Sequence, residues 1–302
     1  MISYLVSMGV FAGVYALMAL GLNVAWGWAG MANLGLVGFY GIGAYASALS
    51  TTRLGWPILG GVALAMACAA AAGAAFALLT ARLRGDYLAI VTLGFAEVVR
   101  LVAATETRFT GGIDGVAGIP GPGRAALGPI GFNLAMLAIT WACVVAVGVL
   151  LARAGGAPWG RVLRAIREDE TVTAVAGHPV LGFKVQAFAV GAGVLGLAGA
   201  LSVHYTSYVA PDALGAVVTL QVVLALTAGG TGRVAGAVLG AALVVLLVEG
   251  SRFLSPFVPV SALQFAASRE IAIALALLVL LHLRPAGIIP EHPTTYTERS
   301  TL

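Results

Sequence analysis

The sequence predicts an all-α polytopic membrane protein of about 8–9 transmembrane helices, with one glycine-rich broken or re-entrant segment and one helix projecting on the cytoplasmic side. Three observations lead there. Of 302 residues, 60% are hydrophobic and 9% charged, against roughly 25% charged in a soluble domain. The mean hydropathy is +1.01. Too few charges remain to cover a globular surface, which excludes a soluble enzyme. The apolar residues also fall in long runs, at 57–80, 132–151, 185–203, 234–248 and 271–281, each able to span all or most of a hydrocarbon core about 30 Å thick. Backbone groups in lipid must be satisfied within the segment, so in a chain rich in Ala, Leu and Val these runs are helices. Residues 1–302 read as a single transmembrane domain.

The elements follow in order. Residues 5–26 form the first span: no basic residue precedes them and the apolar stretch is too long for a secretory signal. Residues 27–50 carry Gly27, Gly30, Gly35, Gly38, Gly41 and Gly43, a density that disfavours an ordinary continuous helix and predicts a broken or re-entrant element. Spans near 57–80 and 87–103 come next. The loop 104–131, with its TGGIDGVAGIPGPG run, favours turns. A span near 132–153 leads into 159–184, which is far longer than a helix-to-helix turn requires. There Val162, Ile166 and residues 172–175 fall near one helical face, while Arg164, Arg167, Glu168, Asp169 and Glu170 supply charge, and Gly177 before His178-Pro179 is a stop signal. This stretch is either an interfacial helix lying on the bilayer or a short helix entering a groove of a cytoplasmic partner, and its mixed charges suit a protein groove better than anionic lipid. The remaining spans lie near 184–204, 217–229, 234–250 and 270–284.

Charge sets the orientation. Arg82, Arg84, Arg153, Arg161, Arg164, Arg167, Lys184, Arg233, Arg284 and Arg299 all fall in alternate connections or the C-terminal tail, ten of the 16 Lys and Arg residues. By the positive-inside rule these connections are cytoplasmic, with the loop 104–131 outside. The positive residues form no stripe interleaved with aromatics, so no nucleic-acid partner is expected; membrane lipid is.

Several spans carry small residues four apart: Gly232, Gly236 and Gly240; Ala192, Gly196 and Ala200; Ala69, Gly73 and Ala77. Such faces serve either packing within this bundle or contact with a second membrane subunit. Glu97 and Arg100, three apart, face the same way and are placed to pair. The pair is internal and structural, lines a solute route, or sits at the interface. Asn33, Tyr40, Thr92, Glu97 and Thr227 are the candidates for a translocation path, although Asn and Thr also bond between helices. His204, beside Tyr205 and Tyr208, reads as an interfacial belt residue. Cys68 and Cys143 lie in different spans and read as packing residues, and the four histidines show no ligand spacing, so no metal is expected. The one lysine, Lys184, stands in LGFKV, so a phosphate-binding G-x-x-x-x-G-K-[ST] loop is absent from the sequence and no cofactor is expected.

The stretch RAIREDETVTAVAGHPVLGFKVQAF resembles the coupling segment of ABC importer permeases, specifically the branched-chain amino acid permease family of the LivM type. GLNVAWGWAGMANLGLVGFYGIGAYA, RLRGDYLAIVTLGFAEVVRL, TGGIDGVAGIPGP, LTAGGTGRVAGAVLGA and LRPAGIIPE match in the family's order. The resemblance implies a transporter subunit of the bacterial inner membrane with no catalytic residues of its own. It would work with a second homologous permease of the LivH type, two ATPase subunits and an extracytoplasmic substrate-binding protein. It places ATPase coupling on Arg164, Ala165, Arg167, Glu168, Asp169, Glu170, Ala174 and Gly177. The usual Glu-Ala-Ala-x-x-x-Gly coupling signature is only partly present: Thr171, Val172 and Thr173 stand before Gly177, and only the Gly and the small Ala174 fit. Relatives carry branched-chain amino acids, urea, short amides or aromatic acids. The competing class is a secondary transporter driven by an ion gradient, which the Glu97–Arg100 pair and the glycine-rich 27–50 segment would suit.

Overall fold

The computed structural model describes residues 2–83, 85–250, 271, 275, 279, 282 and 286–291. Those residues are almost wholly helical. Helix α1 (Ile2–Leu22) runs on into a π-helical turn, Asn23–Trp28, and irregular backbone at 29–35 leads to α2 (Leu36–Thr52). Then come α3 (Ile58–Leu79), α4 (Asp86–Thr105), the single turn α5 (Thr107–Thr110) and α6 (Arg124–Gly156), which is kinked at Gly128 just before Pro129. Two short helices, α7 (Pro158–Glu168) and α8 (Glu170–Val175), precede α9 (Val180–Thr206), α10 (Ala216–Gly229) and α11 (Val234–Gly250). Strands β1 (Val116–Ala117) and β2 (Tyr208–Val209) form a two-residue antiparallel ladder pairing Val116 with Val209.

Five of these helices are long and apolar enough to cross a membrane: Ser3–Trp28, Ile58–Leu79, Asp86–Thr105, Ala126–Gly156 and Val180–Thr206. Helices α2, α10 and α11 are also apolar but have 17, 14 and 17 residues, at 1.5 Å per residue somewhat short of a hydrocarbon core of about 30 Å. The predicted span near 270–284 lies outside the described residues except for 271, 275, 279 and 282, which are helical. Within 27–50 the irregular backbone is confined to 29–35. Gly38, Gly41 and Gly43 sit inside an unbroken α2, because Gly38 and Gly43 replace side chains where α4 and α9 come close and Gly41 leaves room for the Leu214 side chain.

The centre of the bundle is α9. Its glycines face three neighbours at once: a Cβ on Gly196 would lie 2.6 Å from both the Ala65 carbonyl oxygen and Ala69 Cβ of α3, one on Gly199 would lie 2.9 Å from Ala44 N of α2, and one on Gly191 would lie 2.6 Å from the Gly21 carbonyl of α1. Lipid offers no hydrophobic drive between helices, so backbone-to-backbone approach of this kind supplies the packing. Beside it, Phe39, Phe76, Phe95 and Phe188 join α2, α3, α4 and α9 with ring centroids 4.8–6.0 Å apart. Helices α3, α4 and α6 line the outside, with Leu59, Leu79 and Leu150 exposed as a bilayer would require. The small residues of α11 also pack within this chain, Gly240 against the backbone of Ala225 and Gly229 in α10. Gly232 does not belong to that helix face; it lies in the 230–233 turn with φ +86°.

Candidate functional site

Two regions at opposite ends of α9 carry polar chemistry. The first is a cavity of about 480 Å³ between α1, the C-terminal end of α9, the 208–213 loop, α10 and α11. Val14, Met18, Val203 and Val244 give it apolar walls. Polar groups are few and placed: the Tyr15 hydroxyl donates to Gln221 Oε1 at 2.8 Å, Tyr4 donates to Glu249 Oε2 at 2.9 Å, and the Tyr40 hydroxyl stands beside Ser202. Asp212 adds an exposed carboxylate at the mouth. An apolar-walled hole of this size with a few placed polar groups has the character of a small-solute site.

The loop 111–121 closes over this end through β1 and β2. His204, rather than lying in an interfacial belt, is buried: its ring nitrogens meet Ser47 Oγ at 2.9 Å and the Pro120 carbonyl at 2.7 Å, tying the loop to α2 and α9. Burial without partners would be costly for an imidazole, and both nitrogens have one.

Of the residues singled out for a translocation path, only Tyr40 lines the cavity. Asn33 accepts from Gly35 N at 3.0 Å, and Thr92 Oγ1 accepts from Leu34 N at 3.0 Å, so both hold the irregular 29–35 backbone. Thr227 bonds back onto the Val223 carbonyl at 3.0 Å within its own helix. Glu97 and Arg100 do pair, at 2.5 and 2.9 Å, but on the outward surface of α4, where Glu97 rims a shallow depression shared with Leu214 and Thr219. Tyr15, Gln221 and Glu249 went unmarked because they stand on three helices far apart in sequence; Glu249 in particular reads as a solvated span end.

The second region is the segment of α7 and α8. It is not one helix, as the periodicity suggests. Asp169 adopts extended backbone (φ −153°, ψ 110°), ends α7, and caps α8 by accepting from Thr171 N at 2.7 Å and Val172 N at 3.0 Å. An Asp one residue before Glu170 is an N-cap signal, and it outranks the apolar period here. The break turns Val172 and Val175 away from Ile166: Ile166 is buried, whereas Val175 is 85% exposed. Gly177 ends α8 with φ +88°, its N–H on the Ala174 carbonyl at 3.0 Å and the His178 N–H on Thr173 at 3.3 Å, the double bond pattern of a left-handed helix stop.

The charged residues divide. Ala165, Glu168 and Ala174 are exposed. Arg164 turns back to the Gly155 carbonyl at 2.9 Å, and Glu170 accepts from the buried Lys184 at 2.7 Å. Arg167 points inward, donating to the Gly27 carbonyl and pairing with Glu291 at 2.8 Å. Trp28 and Trp159 meet edge to face, their rings 6.0 Å apart, where α7 meets the π turn.

A cavity within a bundle of membrane-crossing helices, with an ordered segment of charge and exposed valine at the other end, defines the chain as a multi-pass membrane protein. Residues 4–283 match the family described as branched-chain amino acid transport system, permease component. The chain belongs to that family. It is 32% identical over 300 residues to the high-affinity branched-chain amino acid transport system permease protein LivM of Salmonella typhimurium, a match covering 92% of this chain and 68% of that protein. The Escherichia coli protein of the same description is 31% identical over the same shares. A probable branched-chain amino acid transport permease protein LivM of Methanocaldococcus jannaschii is 28% identical, over 93% of this chain and 92% of that one. No solved structure gives a significant match.

Proposed function

We propose that this chain is one transmembrane subunit of an ATP-driven importer of the bacterial inner membrane, forming part of the path for branched-chain amino acids or similar small solutes. The observation that carries the reading is the α7–α8 segment: a capped, two-helix projection with exposed Val172 and Val175 at its tip, in a family of transport-system permease components. Exposed valines on a projecting turn are stabilised when a protein groove covers them, and ATPase subunits are the partners such a projection serves. In this reading the α7–α8 end is cytoplasmic and the cavity end faces outward, toward an extracytoplasmic binding protein. Residues 1–302 form one transmembrane unit of about 8–9 crossings, with 29–35 as the break. A LivH-type permease completes the path and two ATPase subunits hydrolyse ATP.

Ala165, Glu168 and Ala174 contact the ATPase, while Arg164, Arg167, Asp169, Glu170 and Gly177 shape the segment that presents them. Tyr40, with Tyr15 and Gln221, lines the path; the apolar walls receive an aliphatic side chain while Asp212 at the mouth favours its ammonium. Asn33 and Thr92 support the path by fixing the turn before α2. The paired Glu97 and Arg100 satisfy each other on an outward face, so they give an ion-gradient mechanism no support.

The test is uptake in proteoliposomes. Leucine accumulation should need this chain, the second permease, the ATPases with ATP, and the binding protein together. Accumulation by this chain alone under an ion gradient would overturn the reading.

A further inference from the structure

The segment 286–291 takes no part in the reading above, yet it is tightly fitted. Ile288 N donates to the Ala228 carbonyl and Ile289 N to the Gly229 carbonyl, both at 2.9 Å, stitching it to the end of α10. Gly230, Gly232 and Gly287 hold φ of +115°, +86° and +78° there. The space beside them is closed: a Cβ on Gly287 would lie 2.6 Å from Gly230 N, and one on Gly232 would lie 2.6 Å from Glu291 Oε2. Glu291 then accepts from Arg167 Nη2 at 2.8 Å, while Nη1 of the same guanidinium donates to the carbonyl of Gly27 in the π turn that extends α1. The ring closes through Asn23 Oδ1, which accepts from Gly232 N at 2.8 Å, and the Trp28 indole, which donates to the Gly232 carbonyl at 2.9 Å.

Four pieces of chain thus meet at one guanidinium and one glycine: α7, the end of α1, the α10–α11 turn and 286–291. A planar guanidinium holds two acceptors at a fixed angle, which an ammonium cannot do. The Arg167 and Glu291 side chains are 28% and 29% exposed, so solvent and salt weaken the pair less than an open surface pair. A π turn is a short departure from α-helical pairing that often marks a functional position. Helices α1, α10 and α11 carry Tyr15, Gln221 and Glu249, the polar groups of the cavity at the far end.

We propose that Arg167 and Glu291 are positioning residues, forming a joint that ties the α7–α8 segment to both α1 and the α10–α11 pair, so that displacement of the segment reaches the cavity walls. The inference rests on the permease reading. The geometry assigns Arg167 a transmitting role and leaves the ATPase contact to the exposed tip.

The test uses the assembled complex in proteoliposomes, measuring leucine transported per ATP hydrolysed. Glu291→Gln keeps the shape of the side chain and removes its charge. The complex should assemble and hydrolyse ATP, while leucine moved per ATP falls about tenfold, equal to about 1.4 kcal/mol of coupling. An unchanged ratio overturns the joint. If Glu291→Gln does not assemble, Arg167→Lys is measured in the same way, since it keeps the charge but cannot span both acceptors. A reduced ratio there supports the joint, and a wild-type ratio, or failure of this variant to assemble as well, overturns it in favour of a purely architectural role. Failure of the permease reading would show separately, as absence of ATP-driven leucine uptake by the wild-type complex.

Discussion

A side chain at residue 196 would have to enter space already held by the Ala65 carbonyl and the Ala69 methyl group, each 2.6 Å from where its Cβ would stand. Neither obstacle is the far end of a flexible side chain, so the backbones of α3 and α9 must separate. Overpacking of that kind costs about 1–3 kcal/mol in a close-packed interior. Gly196→Val should therefore lower the thermal unfolding midpoint of the purified protein in detergent by several degrees or prevent its recovery. Gly182→Val, on the same helix where a Cβ meets nothing within 4 Å, should leave the midpoint nearly unchanged. Equal behaviour of the two variants would mean that helix propensity, not contact with α3, sets the requirement.

At the scale of elements, α8 carries the most specific expectation, because its tip is apolar and uncovered while its base is locked by the Asp169 cap and the Gly177 stop. Val172→Asp with Val175→Asp should leave insertion and stability intact, since both side chains are exposed, but weaken association with the ATPase about tenfold or more if each is an anchor contributing over about 1 kcal/mol. Co-purification of the complex measures it, and undiminished recovery of the ATPases would move their docking site elsewhere. The helices themselves were legible: the runs read as spans at 57–80, 87–103 and 234–250 became Ile58–Leu79, Asp86–Thr105 and Val234–Gly250, because a continuous apolar run bounded by Gly, Pro or charge has few other solutions in lipid. The break at Asp169 was harder, since a helical period and a cap compete over the same residues and only the local backbone decides. The cavity and the partner of Arg167 were not legible at all. Tyr15 and Gln221, or Arg167 and Glu291, come together through packing of distant helices, and nothing in their own neighbourhoods records it.

In the whole molecule, α2 and α3 touch each other and α1 touches α6, but α1, α2 and α3 all lean on α9. The long-range character of those contacts has a counterpart in time. At about 5–20 residues per second, translation reaches α9 on the order of ten seconds after α2 has emerged. During that interval Gly43, Gly73 and the hydroxyl of Ser47 have no α9 to meet, and they must wait against lipid or against the insertion machinery. Chains truncated after residue 178 should therefore be cleared quickly by membrane proteolysis, whereas chains ending after residue 215 persist; a pulse-chase comparison reads the difference, and equal lifetimes would show that the first helices settle without α9. The glycine-lined helix at the middle of the bundle thus also works as a clock: the packing of α1, α2 and α3 remains provisional until it arrives.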